Sequence, residues 1–232
     1  MSRIDALIAE LCPDGVEFQT VKEIFVTKNG YTPSTTNKDY WTDGTVPWFR
    51  MEDIRENGRI LGDSIQKITK EAVKGGKYFP ANSIIIATSA TIGEHALITV
   101  PHLSNQRFTS LALKSEFASR IEMKFVYYYC FLLDDWCRKN TTTSSFASVD
   151  MSGFKDFRFP IPPLEIQREI VAILDRFTKL EAELEAELEA ELEAELEAEL
   201  EARRRQYQHY RDTLLSFAER TDSQASKDNG LG

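Results

Sequence analysis

Cysteine is scarce in this chain: Cys12, Cys130 and Cys137 are the only three in 232 residues. They form neither an even framework nor a CxxC pair, so a disulfide-built scaffold is excluded and free thiols in a reducing compartment are expected. Long apolar runs are missing too, and nothing approaches the roughly 20 residues of a membrane helix. The opening segment lacks the charged, apolar and small-residue order of a secretory signal. A cytoplasmic chain without membrane contact is the expectation.

Catalytic patterns are equally thin. His95, His102 and His209 are the only histidines, and their spacing suits no metal site, so they read as packing or surface residues. No GxGxxG or GxxxxGK[ST] pattern cradles a phosphate. Glu122-Met123-Lys124 resembles the ExK of some nucleases, but no Pro-Asp precedes it at a sensible distance. An NPPY-like segment for base methylation is absent. No catalytic residue and no bound metal are expected.

The most unusual segment is defined by what it excludes. Leu180 to Ala202 contains no Gly, no Pro, no β-branched residue and no base. It is the word Leu-Glu-Ala-Glu repeated five times and closed by Leu200-Glu201-Ala202. All of its residues are strong helix formers. On a helix, Leu180, Leu184, Leu188, Leu192, Leu196 and Leu200 form one stripe. Because four residues over-rotate by about 40°, that stripe drifts around the axis, and the segment is no heptad zipper.

The net charge of −9 is unevenly spread. Residues 1–165 hold 19 basic and 20 acidic side chains; residues 166–232 hold 9 and 17, eleven of the acids lying in the repeat. The first part is therefore near neutral and has room for a basic face, so the low overall pI does not exclude nucleic acid.

Residues 1–160 read as a mixed α/β (α+β) domain. A short helix is predicted from about Ile4 to Leu11, stopped by Pro13-Asp14-Gly15. Val16 to Phe25 reads as a strand leading into a second short element. Ser83 to Ala87, with three consecutive isoleucines, reads as a buried strand, and Ala96–Val100 and Phe108–Leu113 as further strands. Phe125 to Trp136 reads as a packed helix. Pro160-Ile161-Pro162-Pro163 marks a boundary. Beyond it, apolar residues recur at helical spacing from Leu164 through the repeat to Phe217 with no breaker before Ala218, predicting one helix of about 80 Å within a helical domain of residues 161–219. The tail 220–232 reads as disordered.

Polar loops supply the candidate interface. One carries Lys28, Asn29, Tyr31, Thr32 and Ser34, and Arg50 follows the apolar Val46-Pro47-Trp48-Phe49. A second carries Thr88, Ser89 and Thr91. Asn105, Gln106 and Arg107 form a third, and Lys139, Asn140, Thr141, Thr142, Thr143 and Ser144 a fourth. Amides can pair with adenine, arginine with guanine, and hydroxyls with bases or phosphates. Composition alone would not distinguish such loops from ordinary solvated surface.

Several segments together resemble the specificity subunits of type I restriction-modification systems. They are Leu11-Cys12-Pro13-Asp14-Gly15-Val16, Gly30-Tyr31-Thr32-Pro33-Ser34, Tyr40-Trp41 and Val46-Pro47-Trp48. Ile86 to Gly93, Asn105-Gln106 and Phe159 to Gln167 continue the match, as do Ile170-Val171, Leu174 to Phe177, the repeat, and Arg203 to Leu215. The resemblance implies a target recognition domain that binds duplex DNA, followed by a long conserved helix. It implies no catalysis on this chain; S-adenosylmethionine, ATP and magnesium would belong to methyltransferase (M) and restriction (R) partners. Members of the family are usually about twice as long, with two recognition domains and two helices packed antiparallel. A half-length form is therefore expected to pair with a second copy through its leucine stripe and to recognise an interrupted palindrome. The competing reading is a coiled-coil interaction protein whose globular domain binds another protein.

Overall fold

The computed structural model describes residues 2–142 and 147–217. Thr143, Ser144 and the tail 220–232 lie outside the described residues. The chain divides after Arg176 into two compact units. In chain order the elements are α1 (Arg3–Leu11), β1 (Glu17–Thr20), α2 (Val21–Ile24), β2 (Phe25–Asn29), β3 (Val46–Phe49) and α3 (Met51–Asn57). Then come β4 (Ile60–Leu61), β5 (Lys67–Ile68), β6 (Ser83–Ala87), β7 (His95–Ile98), β8 (Leu103–Ser104) and β9 (Phe108–Leu113). The last are α4 (Met123–Lys139), β10 (Thr141–Thr142), β11 (Ser148–Val149), α5 (Met151–Asp156), β12 (Arg158–Ile161) and α6 (Leu164–Leu214).

A five-stranded sheet in the order β2-β9-β6-β7-β4 organises the first unit. β6 is buried along its whole length, as its isoleucine run demands. Its side chains alternate between two cores. Ile84 and Ile86 join Val126, Cys130, Leu133 and Cys137 of α4, while Ile85 and Ala87 join Phe49, Met51, Ile54 and Phe108 on the other face. A second sheet, β5-β3-β8, holds a third cluster of Val46, Trp48, Ile68, Val73, Phe79 and Leu103.

The strand expected over Val16–Phe25 is interrupted. Thr20 and Glu23 form a capping box, with the Thr20 amide and hydroxyl donating to Glu23 Oε2 at 2.7 and 2.6 Å. One helical turn, α2, therefore separates β1 from β2, because the capped N-terminus outweighs the β propensity of Val21 and Ile24. The polar stretch Met51–Asn57 forms α3. Asp53 caps it, accepting from the Arg50 amide at 2.7 Å and the Ile65 amide at 2.6 Å while fully buried.

α6 begins inside the first unit. Gln167 is fully buried, donates through Nε2 to the carbonyls of Arg120 (2.8 Å) and Pro162 (2.7 Å), and accepts from the Glu122 amide (2.8 Å). Asp175 accepts from Lys124 Nζ at 2.7 Å and the Tyr128 hydroxyl at 2.6 Å. From Phe177 onward the helix belongs to the second unit. Its repeat leucines are 50 to 67% exposed. Lys179–Glu183 (3.3 Å) pairs at one end of the acidic repeat, and Arg203–Glu199 (2.6 Å) and Arg205–Glu201 (3.6 Å) at the other. Within the repeat, glutamates four residues apart repel by a few tenths of a kcal/mol per pair.

Among the described residues, no helix is long and apolar enough to cross a membrane, and no group of three metal-type ligands occurs. His95 is buried and bonded through Nδ1 to Asp134 at 2.6 Å. His102 is buried between Phe49 and Phe79, its Nδ1 at 3.0 Å from the Val100 carbonyl.

Candidate nucleic-acid interface

Strand register brings the polar loops together. Asn29 pairs with Thr109, and Ala87 pairs with Phe108, so β2 and β6 end at the edge of the sheet where β9 begins. In the second sheet Phe49 pairs with Ser104, so Arg50 and Asn105 leave side by side. The Asn105 amide donates to the Phe49 carbonyl at 3.0 Å and the Thr88 amide to the Arg107 carbonyl at 2.9 Å, joining the two sheets' exits. The β10-β11 hairpin reaches the same edge, where Ser89 bridges Ser148 and the Val149 amide donates to the Thr88 carbonyl at 2.9 Å. Four loops far apart in sequence thus form one surface.

Gly30 makes the tightest of these junctions. A Cβ on it would overlap the carbonyl oxygens of Ser104 and Asn105, so only glycine allows the two loops to touch. The Tyr31 amide then donates to the Ser104 carbonyl at 2.8 Å, and the Thr32 hydroxyl bonds Gln106 Oε1.

Not every polar group at this edge faces outward. Asn29 Oδ1, Thr109 Oγ1 and Thr88 Oγ1 form a chain across three strands, with links of 3.0 and 2.9 Å. Thr88 and Thr109 are buried, so these hydroxyls hold the strand ends in place. The Tyr31 hydroxyl donates to the Ala72 carbonyl at 3.2 Å and accepts from the Lys74 amide at 2.8 Å. Asn105 Oδ1 accepts from the Arg107 amide at 3.0 Å. Asn140 Nδ2 is spent on the last turn of α4, at 2.8 Å from the Trp136 carbonyl, and Thr91 Oγ1 is buried. Thr142 bonds Ser148, hydroxyl to hydroxyl at 2.9 Å, and Ser34 bonds Thr36 at 2.8 Å. Ser89 is half-buried and Thr141 exposed.

Three cations on these loops point to solvent without an acidic partner: Lys28, Arg107 and Lys139 are exposed, and no carboxylate lies within ion-pair distance of them among the described residues. The Lys28 ammonium lies 5.9 Å from the Phe79 ring. Arg50 lies 5.7 Å over the Trp48 ring, with Glu52 at 3.9 Å from its Nε. Uncompensated cations beside free amides and hydroxyls suit a polyanion, for which the cations supply affinity and the amides discrimination.

The sequence reading missed one part of this surface. Thr32, Thr35, Lys38, Trp41, Thr42, Trp48 and Arg50 line an open cleft of about 420 Å³. Lys38 is exposed and free of any carboxylate partner among the described residues. Thr35-Thr36-Asn37-Lys38 has the same hydroxyl, amide and cation content as the loops singled out, and that composition was its available signal.

The type I restriction modification DNA specificity domain matches residues 13–194. The specificity subunit of the type I restriction enzyme EcoprrI from Escherichia coli is 62% identical over 215 residues, covering 89% of this chain and 52% of that protein. The EcoR124I/EcoR124II specificity subunit, also from Escherichia coli, is 34% identical over 211 residues, covering 87% and 48%. The HsdS subunit of Thermoanaerobacter tengcongensis superimposes with a TM-score of 0.57 at 19% identity, over 78% of this chain and 44% of that one. A chain from a type I R-M system, solved for its complex assembly and conformational transition, gives a TM-score of 0.61 at 21% identity, over 82% and 47%. At those identities the structures share the fold. This chain spans about half the length of the curated relatives it matches.

Proposed function

The chain belongs to the family of type I restriction modification DNA specificity domains, and from that premise we propose that it reads one half of a bipartite duplex site. The observation that carries this reading is the convergence of four loops on one sheet edge, with Lys28, Arg107 and Lys139 unneutralised there. Lys28, Arg50, Arg107 and Lys139 supply phosphate and base contacts. Asn29, Gln106, Ser34, Ser89, Thr141 and Thr142 supply polar readout, while Tyr31, Thr32, Thr88, Thr91, Asn105 and Asn140 hold the edge in shape.

In this reading the chain performs no chemistry. It positions M subunits, which use S-adenosylmethionine, and R subunits, which use ATP and magnesium. Residues 161–219 serve as spacer, pairing surface and docking surface for M. The solvent-exposed leucine stripe supports pairing with a second copy in antiparallel fashion, since so many leucines are costly to leave in water. Such a pair is isologous and calls for an interrupted palindrome.

Co-purification with the cognate M subunit, followed by mapping of methylated sites, tests the proposal. The expected result is one palindrome with a fixed spacer. Methylation without sequence preference would overturn it, and sedimentation showing only monomer, with and without M, would overturn the pairing.

A further inference from the structure

The cleft beside the reading edge has a composition that phosphate binding does not require. Trp41 and Trp48 line it and meet edge to face, with centroids 4.9 Å apart at 82°. Both indole N–H groups are already spent: Trp41 Nε1 donates to the Ser34 carbonyl and Trp48 Nε1 to the Tyr31 carbonyl, each at 3.0 Å. The indoles therefore offer the cleft ring surface and no hydrogen bonds. The guanidinium of Arg50 lies over Trp48, and its Nε is buried with no hydrogen-bond partner among the described residues. Lys38, Thr32, Thr35 and Thr42 complete the lining, and none of the lining residues is acidic.

This is the chemistry of a stacking platform: planar apolar and guanidinium surfaces for a base, with cations and hydroxyls for the flanking sugar and phosphates. The volume of about 420 Å³ falls within the range of small-ligand sites. The Thr32 hydroxyl is bonded to Gln106, so the cleft is joined directly to the loop bearing Arg107.

Resting on the DNA-reading function above, we infer that the cleft receives one nucleobase displaced from the helical stack of the bound duplex. The base lies against Trp41 and Arg50, and Lys38 meets an adjacent phosphate. The cleft reads no edge pattern, so its contribution is to hold a distorted duplex, and its preference follows how readily a step unstacks.

A displaced base has lost its pairing partner, so a mismatch placed there removes a cost from binding. The full chain, combined with its M subunit, is titrated with the mapped duplex carrying a mismatch at each position in turn. One position should bind about tenfold tighter than the matched duplex. Trp41→Ala and Trp41→Leu should abolish that gain and weaken matched binding by about tenfold, while Trp41→Phe retains most of both. Trp41→Leu keeps apolar bulk if the alanine variant fails to fold. If no mismatch tightens binding, or one does so equally in the Trp41→Leu protein, the cleft assignment is overturned while sequence-preferring binding of the matched duplex leaves the DNA-reading function intact. Loss of sequence preference for the matched duplex in the unaltered protein would remove both.

Discussion

Gly30 is packed against the carbonyl of Asn105 so closely that a single methyl group on residue 30 would overlap the oxygen. The two nearest obstructions, the Asn105 and Ser104 carbonyls, are backbone and the third is the buried Ser104 hydroxyl, which leaves little room to yield. Gly30→Ala should therefore force the Tyr31–Ser34 loop away from Asn105–Arg107, costing about 1–3 kcal/mol of stability. The Thr32–Gln106 bond should break with it, and DNA affinity should fall further than stability does. Thermal denaturation and duplex titration of the same variant check the two effects. Unchanged affinity would show that the two loops do not act as one surface.

Arg107 separates the electrostatic role from the structural one. It is exposed, and no carboxylate pairs with it among the described residues. Its amide and carbonyl hold the loop to Asn105 and Thr88, and those main-chain bonds survive a side-chain change. Arg107→Gln should leave stability within about 0.5 kcal/mol of the parent. If the guanidinium meets a phosphate, affinity should fall evenly across sequences and the salt dependence should shallow by about one unit of slope. If it meets guanine, the loss should amount to about 1–3 kcal/mol and be confined to sites bearing that base.

These two residues also show how far the sequence could be read. Asn105, Gln106 and Arg107 announced themselves by residue type, and β6 by its isoleucine run, because a strand buried on both faces has no alternative to apolar side chains. Strand register has no such local signal. Nothing in the sequence says that Asn29 faces Thr109 or that Ser89 bridges Ser148, yet those pairings put four loops on one edge. For the same reason the hydroxyl of Thr88 read as a contact group although the fold turns it inward, onto Thr109. Trp41 and Trp48 each stand in a segment shared with the family, but that they meet with centroids 4.9 Å apart depends on the loop between them and has no local signal. The long helix was the most legible element, its pattern being wholly local.

Gln167 carries a larger energetic consequence than any loop residue. Its amide satisfies two carbonyls and one N–H in a fully buried position, tying the start of α6 to the segment before α4. Gln167→Ala strands all three groups and leaves a void, and should cost about 3 kcal/mol or more in chemical denaturation. Gln167→Glu should be no better, because a carboxylate cannot donate to the Arg120 and Pro162 carbonyls. A loss under 1 kcal/mol in Gln167→Ala would mean that water replaces the amide.

His102 sets a pH dependence. Burial pushes its pKa down to about 4, against which the Val100 carbonyl acts weakly in the opposite direction. The unfolded chain takes up this proton near pH 6.5 and the folded chain only near 4. Acid therefore favours unfolding across that interval, and the contribution is complete below it. The two values correspond to roughly 3 kcal/mol at saturation. His102→Asn keeps an amide donor for the Val100 carbonyl and cannot titrate, so its stability should vary less than the parent's between pH 7 and 4.5. Parallel stability–pH curves for the two proteins would rule out a buried neutral imidazole.

The acidic repeat yields a prediction about distance. One Leu-Glu-Ala-Glu unit advances a helix by about 6 Å and leaves a net rotation of about 40°. One base pair advances duplex DNA by about 3.4 Å and turns it by about 35°. Deleting a unit thus matches about one base pair in rotation but nearly two in rise, and inclined helices or compliant DNA must absorb the difference. If the repeat separates two copies of the recognition domain, a four-residue deletion should shorten the spacer by one or two base pairs and leave the half-sites as they were. The leucine stripe survives, because four-residue steps preserve its register, so pairing should persist. A two-residue deletion should instead place alanines where leucines belong beyond the deletion and disrupt pairing, since it shifts the pattern by half a repeat. Methylation-site mapping of both variants checks spacer and half-site together. An altered half-site with an unchanged spacer would place the specificity in the helix.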